Sequence, residues 1–524
     1  MANANRFYDS RRDFISKGLV AASLPGLPFP ASPKQRTEGP VGIFNVKEFG
    51  ASDAGVRVDT LHIQAAIDAC AASGGGSVYF PPGRYLSGTI FLKNHVRIVL
   101  DAGATLLGST ALNDYPERQS TSVRTYTDRY VRQSLIFGEG LDDTGITGGG
   151  TIDGQGASFR GPFLTRPYII RLISCSNVEV SQISLLNSPM WVQHYLECSH
   201  VHLHDLTVRS ACNDNNDGMD VDACRQVLIS NCDIVSGDDA IVLKSTTEEP
   251  CRDVTIANCM LSSHSNGLKL GTESVGGFHN ITLSNCVVYD TSLSGIALES
   301  VDGGSLENVN VSNIAMRNVK SAIFMRLGNR ARPIREGDAS RPVGTFRNVI
   351  LTNIVATGAD KTGCAIAGIP GHPVENVTLQ NIRVEYEGGV TAENFAGQVP
   401  EQPDSYPEYS NFGVLPAYAF YCRHVRALRF DDVHVTRRMP DARPAVVCDD
   451  VDRLSITGLH TANSNPVILL RDTRRALLSG NISPEDNQVF VRLEGAATRA
   501  IRLDGNDLSS SGIPVERGAG VGPT

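Results

Sequence analysis

Three short segments between Asn215 and Lys269 carry residue types that can move protons. They are Asn215-Asn216-Asp217-Gly218, Ser236-Gly237-Asp238-Asp239 and Ser263-His264-Ser265-Asn266-Gly267. Asp217 precedes Asp238 by 21 residues, and Asp238 precedes His264 by 26. The residues after these segments, and those at 295–299, read alike: Gly-Met-Asp-Val-Asp (218–222), Ala-Ile-Val-Leu-Lys (240–244), Gly-Leu-Lys-Leu-Gly (267–271), Gly-Ile-Ala-Leu-Glu (295–299). A chain repeating at this interval is coiling, and consecutive coils stack three acids and a histidine into one patch. Strands in adjacent coils lie about 4.8 Å apart. Aligned on the Gly or Ala that opens each strand, Asp217 falls in the column of Asp239, and Asp238 projects beside them. Three carboxylates that close cannot all ionise cheaply, so one pKa rises. The result is one protonated acid beside a basic partner, as general acid–base chemistry requires. A calcium cluster, or acids solvated in turns, is the alternative reading of the same residues.

The repeat defines the scaffold that must hold this patch. Short runs rich in Val, Ile and Thr end in Asn or Asp, at Val201, Val227, Val254, Ile281, Val309, Val349 and Val377, with a weaker continuation at Leu428 and Leu454. The first five begin 26, 27, 27 and 28 residues apart. A period of this length signals a solenoid. The alternating polarity and short runs make its unit a strand rather than a helix. The fold class is therefore all-β, a parallel β-helix. The Asn after each run is expected at a tight inward turn, hydrogen-bonded from coil to coil as a ladder. Cys232, Cys259 and Cys286 recur at one repeat position and are expected as a buried ladder of small apolar groups rather than as disulfides. The stretch Asp59–Cys70 reads as a helix stopped by Gly74-Gly75-Gly76, a plug for the open N-terminal end. Loops are expected at about 329–342 and 387–417, on one face, where such insertions line a groove.

The chain has 524 residues, 41% hydrophobic and 20% charged, with a net charge of −9. That balance fits a folded soluble protein and argues against nucleic acid or an anionic membrane as partner. No later apolar run reaches the roughly 18 residues that span a bilayer. Arg11-Arg12 followed by Phe14 and a weakly apolar stretch, Gly18 to Leu27, resembles a twin-arginine export signal. Residues 1–38 are thus expected to be export signal and linker. Residues 39–524 are expected to form a single β-helix domain with an N-terminal cap at about 44–110. A periplasmic or extracellular monomer follows.

Several of these motifs together resemble glycoside hydrolase family 28, the polygalacturonase family. The set comprises Phe49-Gly-Ala-Ser-Asp-Ala-Gly, Phe80-Pro-Pro-Gly-Arg-Tyr, Gly149-Gly-Thr-Ile-Asp-Gly-Gln-Gly-Ala, Asn215-Asn-Asp-Gly and Gly237-Asp-Asp-Ala-Ile. The likeness covers roughly residues 44–465. It implies a right-handed parallel β-helix that cleaves glycosidic bonds with inversion and requires no cofactor. It also implies Asp238 as general acid, with Asp217 and Asp239 holding and deprotonating water. The carboxylate patch agrees with that division of labour.

Two departures bear on the sugar. The family's Gly-His-Gly histidine is replaced by Asn266, and His264 lies two residues earlier, on the same strand face; either could serve the carboxylates. The family's Arg-Ile-Lys is replaced by Ala297-Leu298-Glu299. Glu299 would repel a carboxylate substrate. Lys269, one coil before the missing Arg, and Arg326, one coil after Glu299, are candidate replacements, or partners of Glu299. This points toward a rhamnogalacturonan, a pectin side chain or an oligosaccharide rather than homogalacturonan. Trp191 and His194, one coil before the acids, could stack on a sugar or pack in the core. Tyr409, Tyr418, Tyr421 and His424 are weaker groove candidates. A calcium-dependent lyase and a non-catalytic carbohydrate-binding β-helix are the alternative functions.

Overall fold

The computed structural model describes residues 42–395, 398–518, 520 and 521. The candidate export signal lies outside the described residues. From Gly42 onward the chain winds as a right-handed parallel β-helix, every strand pairing in parallel with the equivalent strand one coil away. The repeat positions of the sequence stack in one inward column: Val201 on Val227, then Val254, Ile281, Val309, Val349, Val377, Leu428 and Leu454. All nine are buried. Complete burial of each such side chain stabilises the fold by about 1.5–3 kcal/mol, so one charge in this column would break the stack.

The Asn ladder exists, but on the outside. Asn231, Asn258 and Asn285 adopt left-handed backbone with φ of 57, 59 and 55°, which Asn tolerates better than most residues. Their side chains are exposed, and amides donate from coil to coil, as from Asn313 to Asn285 (2.9 Å) and from Asn353 to Asn313 (2.9 Å). The inward place next to each Asn goes to the apolar neighbour instead. Cys232, Cys259 and Cys286 fill it, and all 12 cysteines are free thiols.

The helix Thr60–Ala72 buries Ile63, Ala66, Ile67 and Cys70 over the first coil. Its N-cap residue, Asp59, makes no capping bond; it accepts from the Ser52 amide (2.8 Å) and Arg57 Nε (2.7 Å) instead. Among the described residues, no helix is long and apolar enough to cross a membrane.

Longer loops interrupt the coils, one of them, residues 154–167, between the strands Thr151–Asp153 and Tyr168–Ile173; three more stand out. Two are the expected insertions, between the strands Ser321–Leu327 and Phe346–Ala359 and between Val374–Gly388 and Phe420–Met439. A third, between Ala104–Gly108 and Ser134–Glu139, was not foreseen. It meets the first insertion through Tyr130, whose hydroxyl accepts from Arg332 Nη1 (2.8 Å), and through Arg124 and Asp338 (3.2 Å). It also touches a coil directly, Thr125 Oγ1 lying 2.7 Å from Thr246 Oγ1.

Candidate active site

The site stands on the stacked strands Gln193–Leu196, Met219–Asp222, Ile241–Ser245, Leu268–Ser274 and Ser294–Ser300. Met219 pairs with Ile241, and Ile241 with Leu268. Asp217, Asp239 and Asn266 each lie two residues before those positions, so they share a column. Backbone bonds continue the register: Gly218 N to Asp239 O (2.9 Å), Ala240 N to Asn266 O (2.9 Å), Gly267 N to Ser294 O (3.0 Å). Glycine is required at 218, because a Cβ there would lie 2.6 Å from the Ala240 carbonyl oxygen. The turn before each strand thus presents one polar side chain per coil.

Asp217, Asp238 and Asp239 each bring a carboxylate oxygen within 4.8 Å of the others. Their environments differ. Asp239 is 3% exposed. Its Oδ1 accepts from Ser265 Oγ (2.8 Å), Asn266 Nδ2 (2.9 Å) and Asn266 N (3.1 Å), and its Oδ2 faces Lys269 Nζ at 3.1 Å. Burial alone would raise its pKa, but Lys269, Lys244 and the Asn266 and Ser265 hydrogen bonds outweigh burial and hold it below the usual carboxylate range. Asp238 is half-buried; its Oδ1 accepts from the Asp239 amide (2.9 Å), and its Oδ2 lies 3.5 Å from Asn215 Nδ2. Burial and the neighbouring Asp239 push its pKa up. Asp217, 3% exposed, is driven well above the usual range by burial, Asp220 and Asp238. Within the cluster Asp239 is thus biased toward the ionised form, and Asp238 and Asp217 toward the protonated one.

Two buried lysines answer the negative charge. Lys244 Nζ lies 3.2 Å from Glu273, 3.5 Å from Asp220 and 3.6 Å from Asp217. Lys269 Nζ reaches Glu408 (3.5 Å) and Glu299 (3.9 Å) besides Asp239, and donates to the Tyr406 hydroxyl (3.4 Å). Glu273 lies 4.0 Å from Arg330, which is clamped on Asp302. The three aspartates have the spacing of a cation site, but these ammonium groups supply counter-charge at hydrogen-bonding to near-hydrogen-bonding range. Lys244, Asp220, Glu273, Tyr406 and Glu408 were not among the residues expected here. Lys244 and Asp220 sat in the aligned repeats, where alternation places them beside the acids. Tyr406 and Glu408 arrive on an irregular loop that no periodicity announces.

The other expected residues separate into distinct places. Asn266 takes the position facing Asp239, and its Oδ1 accepts from the Ser294 amide (2.8 Å). His264 is exposed and lies outside that contact, at the rim, lining a cavity of about 290 Å³ with Arg160, Arg166, Asn213 and Gly237. Lys269 pairs with Ala297 and Arg326 with Glu299 in the strand register, as expected. Arg326 points elsewhere: its guanidinium donates to the carbonyls of Gly368 (2.9 Å), Glu401 (2.6 Å) and Gln402 (3.2 Å). Glu299 is fully buried and accepts from Thr272 Oγ1 (3.0 Å), with its pKa driven well up by burial; it presents no charge to a groove. Trp191 is 5% exposed, packed on Tyr130, Tyr168 and His194, with Lys244 Nζ 4.6 Å from its ring centre. It is a wall that holds a lysine rather than an open sugar platform. His194 is buried against Asp222 (3.1 Å), and burial depresses its pKa. Tyr418 and Tyr421 are core residues, Tyr409 packs at the edge of an apolar cluster, and His424 bridges Asp450 (2.8 Å) and Glu401 (3.2 Å).

The model of the family described as "Glycosyl hydrolases family 28" matches residues 77–400. A probable polygalacturonase of Vitis vinifera is 28% identical over 373 residues, 64% of this chain and 73% of that protein. An exopolygalacturonase of Zea mays is 24% identical, covering 67% of this chain and 86% of that one. The crystal structure of an exopolygalacturonase from Thermotoga maritima superposes with a TM-score of 0.59 at 22% identity, over 67% of this chain and 88% of that one. That match concerns the fold. The family match extends across the coils that carry the carboxylate cluster: this chain belongs to glycosyl hydrolases family 28 and is a glycoside hydrolase.

Proposed function

We propose that the protein is an exported polygalacturonase-type hydrolase of pectin that works from chain ends with inversion. Asp238 protonates the glycosidic oxygen, Asp239 deprotonates water, and Asp217, biased toward its neutral form, helps to hold that water. The observation that carries this reading is the unequal environment of two adjacent acids. Lys269 and Asn266 favour the ionised form of Asp239, while Asp238, in no ion pair among the described residues, has its pKa raised by burial and Asp239 and is the one of the three that is only partly buried. A group that protonates a leaving oxygen must hold its proton near the working pH.

Carboxylate spacing does not itself favour inversion, since inverting pairs are usually about 6.5–9.5 Å apart and retaining pairs about 5–5.5 Å. Inversion is supported by the state of Asp239. Both of its oxygens are engaged, by three donors and an ammonium, which weakens it as a nucleophile but leaves a lone pair for water. End action is supported by the loops. Tyr406 and Glu408 lie over Lys269, and the Arg332–Tyr130 and Thr125–Thr246 contacts wall the same side. Export is supported by the Arg11-Arg12 segment and by a polymeric plant substrate.

The test is digestion of polygalacturonate and defined pectic oligosaccharides, with product sizes and the first-formed anomer read by proton NMR. Short end products of inverted configuration are expected, and activity that survives a chelator. An ultraviolet-absorbing unsaturated product, or activity abolished by the chelator, would identify a calcium-dependent lyase. Internal cleavage would overturn end action alone.

A further inference from the structure

The substitution of Arg-Ile-Lys leaves a question of charge. A uronate chain needs cations, yet Lys269 is consumed by Asp239, Glu299 and Glu408, and Arg326 by loop carbonyls. A cavity lined by two arginines lies next to Asp238. Its lining includes Arg160, Arg166, His264, Asn213, Asp214 and Gly237, the residue before Asp238.

Arg166 is the built element. It ends the short turn Phe163–Thr165 and is 6% exposed. Its Nη1 donates to the Asp214 carbonyl (2.6 Å) and its Nη2 to Asn215 Oδ1 (3.1 Å). Its Nε is buried with no hydrogen-bond partner. Its Cζ lies 5.2 Å from the Phe163 ring centre; a guanidinium has five donors, and Nε is left unspent. Among the described residues no carboxylate comes within ion-pair distance of it. The Asp214 side chain, which also lines the cavity, is exposed and screened. A buried guanidinium without a counter-ion is costly, and a carboxylate entering the cavity would remove that cost. Arg160, exposed, adds positive charge, and His264, exposed, adds ring nitrogens that can hydrogen-bond a ligand. The same Asn215 that accepts from Arg166 has its Nδ2 3.5 Å from Asp238. One amide therefore links the cavity to the proposed acid.

We propose that this cavity is a uronate subsite, in which Arg166, assisted by Arg160 and His264, binds the carboxylate of the sugar next to the scissile bond. This rests on the pectin reading above and names the group that the site selects. Arg166 would here do the work of the replaced cations, because planar bidentate contact with a carboxylate is what a guanidinium does best.

The test uses the full chain. Oligogalacturonides and their carboxyl-reduced, neutral counterparts are compared as substrates for wild type, Arg166→Gln and Arg160→Gln. Arg166→Gln is expected to lose about 100-fold in kcat/KM on the acidic substrate, chiefly through KM, and under threefold on the neutral one. Arg160→Gln, on an exposed side chain, should keep the wild-type Tm and lose about 10-fold on the acidic substrate alone. Equal losses on both substrates, or none on the acidic one, would overturn the subsite. Galacturonate titrated calorimetrically into wild type and Arg160→Gln separates the two claims. If wild type hydrolyses no pectic substrate but binds galacturonate in an Arg160-dependent way, the subsite stands and the pectin reading fails. If it hydrolyses the substrates with no dependence on either arginine, the reverse holds.

Discussion

Replacing Lys269 by Met probes how the site keeps one acid ionised. Methionine fills much of the same volume and removes the ammonium 3.1 Å from Asp239 Oδ2. At an effective dielectric of about 20, a unit pair at that distance is worth about 5 kcal/mol, or nearly four pK units at about 1.4 kcal/mol each. Lys244, Ser265 and Asn266 remain and retain part of that effect. Glu299 and Glu408, whose pKa values burial already raises, lose the same cation and shift further toward the neutral form, so they add no like charge beside Asp239. The net expectation is a rise of at least about one unit in the pKa of Asp239. An ionised base is needed for turnover, so activity is present above that pKa and lost as pH falls through it. The acidic limb of the kcat/KM profile should therefore move to higher pH by at least about one unit. The profile is measured on an oligogalacturonide alongside circular dichroism and Tm at each pH, because an unpaired buried charge costs about 3–5 kcal/mol of stability. An acidic limb unmoved in a folded variant would refute the assignment of Asp239 as the ionised partner.

Further outcomes follow from the same cluster. Asp220 has a pKa raised well above normal by burial, and neither of its oxygens finds a hydrogen bond. With a folded pKa above the unfolded one, its contribution to stability is full below about pH 3.9 and lost as pH rises through the folded pKa. Asp220→Asn should therefore raise Tm relative to wild type at pH 7, the gain shrinking toward pH 4 in calorimetric scans, while turnover falls. Asn266→Ala removes the amide that donates to Asp239 and the oxygen that accepts from Ser294. A hydrogen bond to a charged group contributes about 1.5–3 kcal/mol, so a loss of at least that size in denaturant stability is expected, with kcat down about 10- to 100-fold; unchanged kcat would remove Asn266 from the site.

The coils were legible in the sequence because their cause is periodic. One apolar residue per turn of the solenoid at Val201, Val227 and Val254 leaves a repeat that can be counted, and counting it placed Asp217, Asp239 and Asn266 in one column. The same registration placed Lys269 and Arg326 in their strands but did not say which way their side chains would turn. Arg326 is drawn off by the carbonyls of Glu401 and Gln402, which belong to an aperiodic loop. Glu299 looked like a charge in a groove because the loop bearing Glu408 and Tyr406, which buries its neighbourhood, has no repeat to register it. The Asn ladder was assigned inward because hydrogen-bonded stacking suggests a core. In the structure, left-handed turns face water, and the following Cys takes the inside. Arg166 was invisible for a related reason: its proposed role rests on having no counter-ion among the described residues, which only a folded surrounding reveals.

The central claim is that Asp238 delivers the proton. Its direct test compares wild type and Asp238→Asn on an oligogalacturonide and on an aryl galacturonide whose leaving group departs without protonation. General acid catalysis contributes about 10²- to 10⁴-fold. The account predicts a loss of that size in kcat on the oligosaccharide and a much smaller loss on the aryl glycoside. Near-normal turnover of the oligosaccharide, or equal losses on both, would contradict it.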